Sequence, residues 1–149
     1  MNTKPPTRVL IVDDNVDAAA SMGFLLTSYG YDVEVAYNPF SALDLAGINR
    51  PDACVLDINM PGMTGYELAT RLRAMFPGNV PILATVTAYE DERHFDRAVA
   101  AGFDLHFTKP AVAWDVAEQL REYLENMSGG VYQQPREHSG SSGPFRRPQ

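Results

Sequence analysis

The feature that most constrains this chain is an alternation, repeated five times, of a short apolar run with a longer segment of helical spacing. The runs begin near Arg8, Asp32, Ala53, Pro81 and Leu105, and residues 9–12, 53–56, 82–86 and 105–108 read as strands buried on both faces. Short, nearly continuous apolar runs bounded by turn residues are what a covered parallel sheet requires. Strand and helix in strict alternation place helices on both sides of such a sheet. Right-handed crossovers then leave few topologies. The expected fold is a doubly wound α/β sheet of five parallel strands in flavodoxin-like order 2-1-3-4-5, with five helices.

The helical segments carry their own start and stop signals. In the first, Ala18, Met22, Leu25, Leu26 and Tyr29 fall on one predicted face, and Gly30 stands where a C′ glycine belongs. The second opens with a cap and an N1 proline, Asn38-Pro39, and Gly47 is its predicted end. Thr64 and Glu67 have the spacing of a capping box at the start of the third, with Leu68, Leu72 and Met75 inward. Phe95, Ala98 and Val99 mark the fourth; Val116, Leu120, Tyr123 and Leu124 mark the fifth. After Asn126 apolar periodicity stops, and Gly, Pro and Ser become abundant. Three regions follow: an N-terminal lead (1–7), one folded domain (8–126) and a flexible Gly/Ser/Pro-rich tail (127–149).

At 149 residues the chain is long enough for one domain with a real core. No run approaches the roughly 18 apolar residues of a membrane span, and the N-terminus has no apolar h-region. The lone Cys54, inside a strand run, reads as a buried small hydrophobe; it excludes an internal disulfide and fits a cytoplasmic location. A net charge of −7 argues against general nucleic-acid binding through phosphates.

Five polar residues follow or close the strand runs: Asp13, Asp14, Asp57, Thr87 and Lys109. In an open α/β sheet ligands bind beyond the carboxyl ends of the strands, where strand order reverses. In order 2-1-3-4-5 that point lies between strands 1 and 3, next to Asp13, Asp14 and Asp57. Three clustered carboxylates repel unless a cation neutralises them or one takes a proton. All-oxygen ligands select a hard ion such as Mg²⁺. Lys109 offers a point charge, and Thr87 a hydroxyl, for phosphoryl oxygens. A carboxylate in this setting can attack phosphorus and form an acyl phosphate.

Four stretches, VLIVDDN (9–15), LDINMPGMTG (56–65), PILATVTA (81–88) and AGFDLHFTKP (101–110), resemble the receiver domain of two-component response regulators over about residues 7–126. The resemblance implies that Asp57 is the phosphoacceptor, served by a sensor histidine kinase or histidine phosphotransfer protein. It implies Mg²⁺, with Mn²⁺ as a substitute, on Asp14 directly, Asp13 mainly through water, Asp57 and the Asn59 backbone carbonyl. Thr87 and Lys109 would bind phosphoryl oxygens beside a small, uncrowding Ala88, and the Lys109-Pro110 bond is cis in relatives. Asn59 and Tyr89 occupy positions that tune hydrolysis of the aspartyl phosphate; a bulky Tyr89 predicts a long-lived signal. His106 stands where many receivers carry a switching aromatic residue, and the expectation is that it takes a reduced version of that role or stays exposed. Trp114 is either an interface anchor or partly buried against the sheet.

The function expected is a phosphorylation-switched regulator that signals through protein contacts on its helix 4, strand 5 and helix 5 face. It catalyses only its own phosphorylation and slow dephosphorylation, and contacts neither nucleic acid nor membrane. A stand-alone regulator is expected; a phosphorelay intermediate or a receiver from a larger regulator or hybrid kinase is the alternative. Two other classes fit less well. A nucleotide or flavin binder needs a Gly-rich loop where this chain has Asp13-Asp14-Asn15. An Mg²⁺-dependent aspartyl-phosphate phosphatase of the haloacid-dehalogenase class needs an acid two residues after its nucleophile, where this chain has Asn59.

Overall fold

The computed structural model describes residues 5–88, 92–128 and 145–146. The elements run β1 (Arg8–Val12), α1 (Val16–Ser28), β2 (Asp32–Ala36), α2 (Pro39–Ile48), β3 (Ala53–Asp57) and α3 (Gly65–Met75). They continue with β4 (Ile82–Thr87), α4 (Glu92–Ala101), β5 (Leu105–Thr108), α5 (Ala113–Ser128) and β6 (Phe145–Arg146). The sheet order is β2-β1-β3-β4-β5-β6. The first five strands are parallel, in the expected order. None of the helices among the described residues is long and apolar enough to cross a membrane.

The helix starts follow their caps. Asn15 accepts from the Ala18 amide, Asn38 accepts from the Ser41 amide ahead of Pro39, and Thr64 with Glu67 closes a reciprocal capping box. Each cap satisfies an amide that the first helical turn cannot. Gly30 leaves α1 with a φ of +100°, a left-handed geometry that favours glycine. α2 continues one residue past Gly47, to Ile48.

Period-two alternation splits the strand residues between two cores. Leu10, Val12, Cys54, Leu56 and Leu83 face α2, α3 and α4, where they meet Ala42, Ala46, Leu68, Leu72, Ala98 and Phe103. Val9, Ile11, Val55, Ala84, Leu105 and Phe107 face α1 and α5, against Leu26, Val116 and Leu120. With both faces covered, what the sheet itself offers to function is its strand ends and edges. Cys54 is fully buried, and desolvation pushes its thiol up to about 12.

Further features depart from the sequence expectations. The inward face of α1 is Ala19, Gly23 and Leu26, whereas Ala18, Leu25 and Tyr29 are exposed. Gly23 explains the rotation: a Cβ there would lie 2.9 Å from the Val35 Cγ2, so the glycine lets α1 settle onto the sheet. The last helix extends to Ser128, two residues beyond the expected domain end. Finally, Phe145–Arg146, within the expected flexible tail, forms a strand antiparallel to β5. The rest of that tail and residues 1–4 of the lead lie outside the described residues. Trp114 is not buried against the sheet: it is 53% exposed, edge-on to Tyr29 at 5.3 Å between ring centroids.

Candidate functional site

The carboxyl ends of β1, β3, β4 and β5 bring the expected residues together. Asp13 follows β1; its amide donates to the Ala36 carbonyl, and its carboxylate accepts from the Asn15 amide at 2.9 Å. This turn leaves Asp14 exposed at the mouth while Asp13 is buried. Asp57 is the last residue of β3 and is buried. Gly65, the first residue of α3, presses on the same backbone: its amide donates to the Ile58 carbonyl, and a Cβ there would lie 2.4 Å from the Asp57 carbonyl oxygen. Only glycine lets α3 begin so close to Asp57. Thr87 ends β4 and is buried, and its carbonyl accepts from the Lys109 amide at 2.8 Å. That bond fixes the β4 and β5 ends side by side. The Lys109-Pro110 peptide is cis, as the resemblance implied.

The Lys109 Nζ lies 3.2 Å from Asp57 and 3.8 Å from Asp13. Ligand oxygens of Asp13, Asp14 and Asp57 lie within 4.8 Å of one another. Desolvation, then the charge of Asp13, push the Asp57 carboxyl up to about 6, with Lys109 pulling the other way. One ammonium against three carboxylates leaves the site short of positive charge. A hard divalent cation fits this donor set: it would complete the neutralisation, with oxygen ligands at the mouth and room for water. Asp13, Asp14, Asp57, Asn59, Thr87, Ala88 and Lys109, with Asn15, line one open cleft. Every expected site residue except His106 and Tyr89 is therefore in one place. Tyr89 lies outside the described residues.

His106 is neither exposed nor in this cleft. It is 2% exposed, on the face of β5 covered by α4. Its Nδ1 lies 2.9 Å from the His94 Nε2, and the His94 Nδ1 is hydrogen-bonded to the Tyr66 hydroxyl. Phe95 stands edge-on to the His106 ring, and the Arg97 guanidinium lies over the Tyr66 ring at 4.1 Å. Three polar side chains on α3, α4 and β5 thus form one buried chain. Desolvation, then the neighbouring His94, push the His106 imidazole down to about 4, so it is neutral near pH 7. Sequence reasoning missed His94 and Tyr66. His94 does share a helical face with Ala98, which was the available signal.

A family model described as "Response regulator receiver domain" matches residues 9–125. The chain is 36% identical over 123 residues to the response regulator MprA of Mycobacterium sp. (strain KMS), covering 83% of this chain and 53% of that protein. It thus spans about half the length of the first curated relatives it matches. A 14.6 kDa protein of Leptolyngbya boryana is 32% identical and is covered over 94% of its length. Among solved structures, a CheY-like receiver domain protein from Methanospirillum hungatei JF-1 superposes with a TM-score of 0.76 at 28% identity, over 83% of this chain and 98% of that one. The receiver domain of Ssk1, crystallised with the histidine phosphotransfer protein Ypd1 of Saccharomyces cerevisiae, shares the fold, with a TM-score of 0.74 at 22% identity over 85% of this chain and 94% of that one.

Proposed function

Because the chain belongs to the response regulator receiver family, we propose that it is a switch charged on Asp57 by a phosphohistidine of a sensor histidine kinase or histidine phosphotransfer protein. The observation that carries this reading is the Asp57 carboxylate, buried at a strand end with Lys109 at 3.2 Å and two further carboxylates beside it. In the transfer an Asp57 oxygen attacks phosphorus, the P–N bond to the imidazole breaks, and the imidazole nitrogen leaves with the electron pair. Lys109 and the Thr87 hydroxyl bind the oxygens of the transferred group, and exposed Ala88 leaves space beside it. Asp13, Asp14, Asp57 and the Asn59 carbonyl would hold Mg²⁺, or Mn²⁺ in its place. When bound, the cation neutralises charge on phosphoryl oxygens, the dominant need in phosphoryl transfer.

In this reading the chain acts on no other substrate and is a cytoplasmic regulator that signals through protein contacts around α4, β5 and α5. Asn59 supports a switch over a phosphatase, since an amide cannot serve as the general acid a hydrolase needs. The test is labelling of the full chain with phosphoramidate and Mg²⁺, followed by mass spectrometry. One phosphoryl group per chain, lost in Asp57→Ala, is the expected outcome. Multiple turnover of a phosphate ester such as p-nitrophenyl phosphate would overturn the switch in favour of a phosphatase. Phosphotransfer profiling against the kinases of its own genome identifies the donor.

A further inference from the structure

The sheet order makes β5 an edge strand unless something adds to it, and an edge strand presents a row of open backbone donors and acceptors. Leu105, His106 and Phe107 are buried on the two faces of β5. What this edge offers a partner is therefore main chain rather than side chain, the setting for recognition by strand addition. The Lys109 amide bonds to Thr87 on β4, so by alternation along the strand the His106 amide points away from β4, towards the edge. In the structure that edge is filled: Phe145 pairs with His106 and Arg146 with Leu105, antiparallel.

We propose that the β5 edge is a docking site for an extended peptide, held in cis by the chain's own segment Phe145–Arg146. A partner that adds a strand there must first displace this arm. The inference does not depend on whether Asp57 is phosphorylated.

Three observations favour this occupant. The first is reach. Tyr123 of α5 donates to Asp104 beside the start of β5, so α5 ends near the place where Arg146 pairs. Residues 129–144 can span roughly 50 Å at full extension, far more than the return to β5 needs. A Gly/Ser-rich tether of that length gives an effective concentration on the order of millimolar, which a free peptide at cellular concentration does not match.

The second is charge. The tail after Ser128 holds Arg136, Arg146 and Arg147 against one acid, Glu137, in a chain of net charge −7. A basic arm is drawn to an acidic body. The third is sequence framing. Pro144 and Pro148 bracket the segment, and a proline has no amide to give a ladder. Neither flanking proline can therefore add an amide donor to the ladder.

Amide hydrogen exchange by NMR on the full 149-residue chain tests this, comparing wild type with Phe145→Pro and Arg146→Pro. Exchange at the His106 amide should rise about tenfold or more in each, with β1 and β3 unchanged. Unchanged exchange at β5 in both variants would overturn the proposal. In a mixture of isotope-labelled and unlabelled chains, cross-strand NOEs between His106 and Phe145 should arise within one molecule; NOEs between molecules would overturn the assignment in cis. A synthetic peptide of residues 142–149 should restore β5 protection in the Phe145→Pro chain and leave wild type unperturbed. A peptide that restores nothing would refute the edge as a peptide acceptor.

Discussion

His94 and His106 face each other across the α4–β5 boundary with Nε2 and Nδ1 2.9 Å apart, inside the core. A neutral imidazole has one donor and one acceptor nitrogen. The chain from Tyr66 through His94 to His106 can then run in either of two directions, but it must run one way. Protonating either ring sets two N–H groups against each other or strips an acceptor from the chain.

A pH dependence follows. The His106 value falls to about 4 in the fold against an ordinary 6.5, so between these pH values the unfolded chain binds more protons. Stability from this group is complete above pH 6.5 and is lost as pH falls towards 4, at up to about 1.4 kcal/mol per pH unit. Urea denaturation of His106→Phe should lack this limb. The same acid sensitivity in the variant would place its origin elsewhere.

Asp57 has the opposite sign. Its value is raised from 3.8 to about 6, so the fold binds more protons in that window. Stability from this group is complete below pH 3.8 and declines as pH rises through 6. Without divalent metal, Asp57→Asn should stabilise the fold at pH 7.5 by about 1–3 kcal/mol. The two groups oppose each other between pH 4 and 6. Asp57→Asn should therefore expose the histidine limb, and His106→Phe the aspartate limb. Equilibrium unfolding across that range checks both.

Added Mg²⁺ should relieve the same repulsion. At about ten times its dissociation constant a ligand confined to the native state stabilises by about 1.4 kcal/mol. The wild-type Tm should rise with Mg²⁺, and Asp14→Ala and Asp13→Asn should flatten the rise. An unaltered Mg²⁺ response in both variants would remove these carboxylates from the metal site.

Gly65→Ala tests the packing behind Asp57. The new methyl group would sit 2.4 Å from the Asp57 carbonyl oxygen, so α3 must move or β3 must end differently. Overpacking of this kind costs about 1–3 kcal/mol. The variant should lower the urea midpoint and slow phosphoramidate labelling of Asp57, whereas Gly47→Ala, with only the flexible end of Met75 in contact range, should do neither.

The candidate site was legible in the sequence because its parts are local: each polar residue follows or closes an apolar run, and strand order alone brings Asp13, Asp57, Thr87 and Lys109 together. The rest depended on contacts without a local signature. The inward face of α1 turned on Gly23 meeting Val35 of β2, a neighbour no helical period reveals. His106 is buried because α4 brings His94 and Phe95 over it, and nothing in a four-residue strand announces that cover. Phe145–Arg146 stands among Gly, Ser and Pro, so its pairing is set by the free edge of β5 rather than by its own propensity.

The chain's single cysteine has a practical consequence. Cys54 is sealed in the sheet with its thiol pushed up to about 12, so at neutral pH it offers almost no thiolate to a maleimide or a nitroxide reagent. A cysteine placed at any exposed position would be the one thiol that labels. A spin label at exposed Val112 can therefore be attached to the otherwise native chain, and its broadening of backbone amide resonances read as distances from that one point.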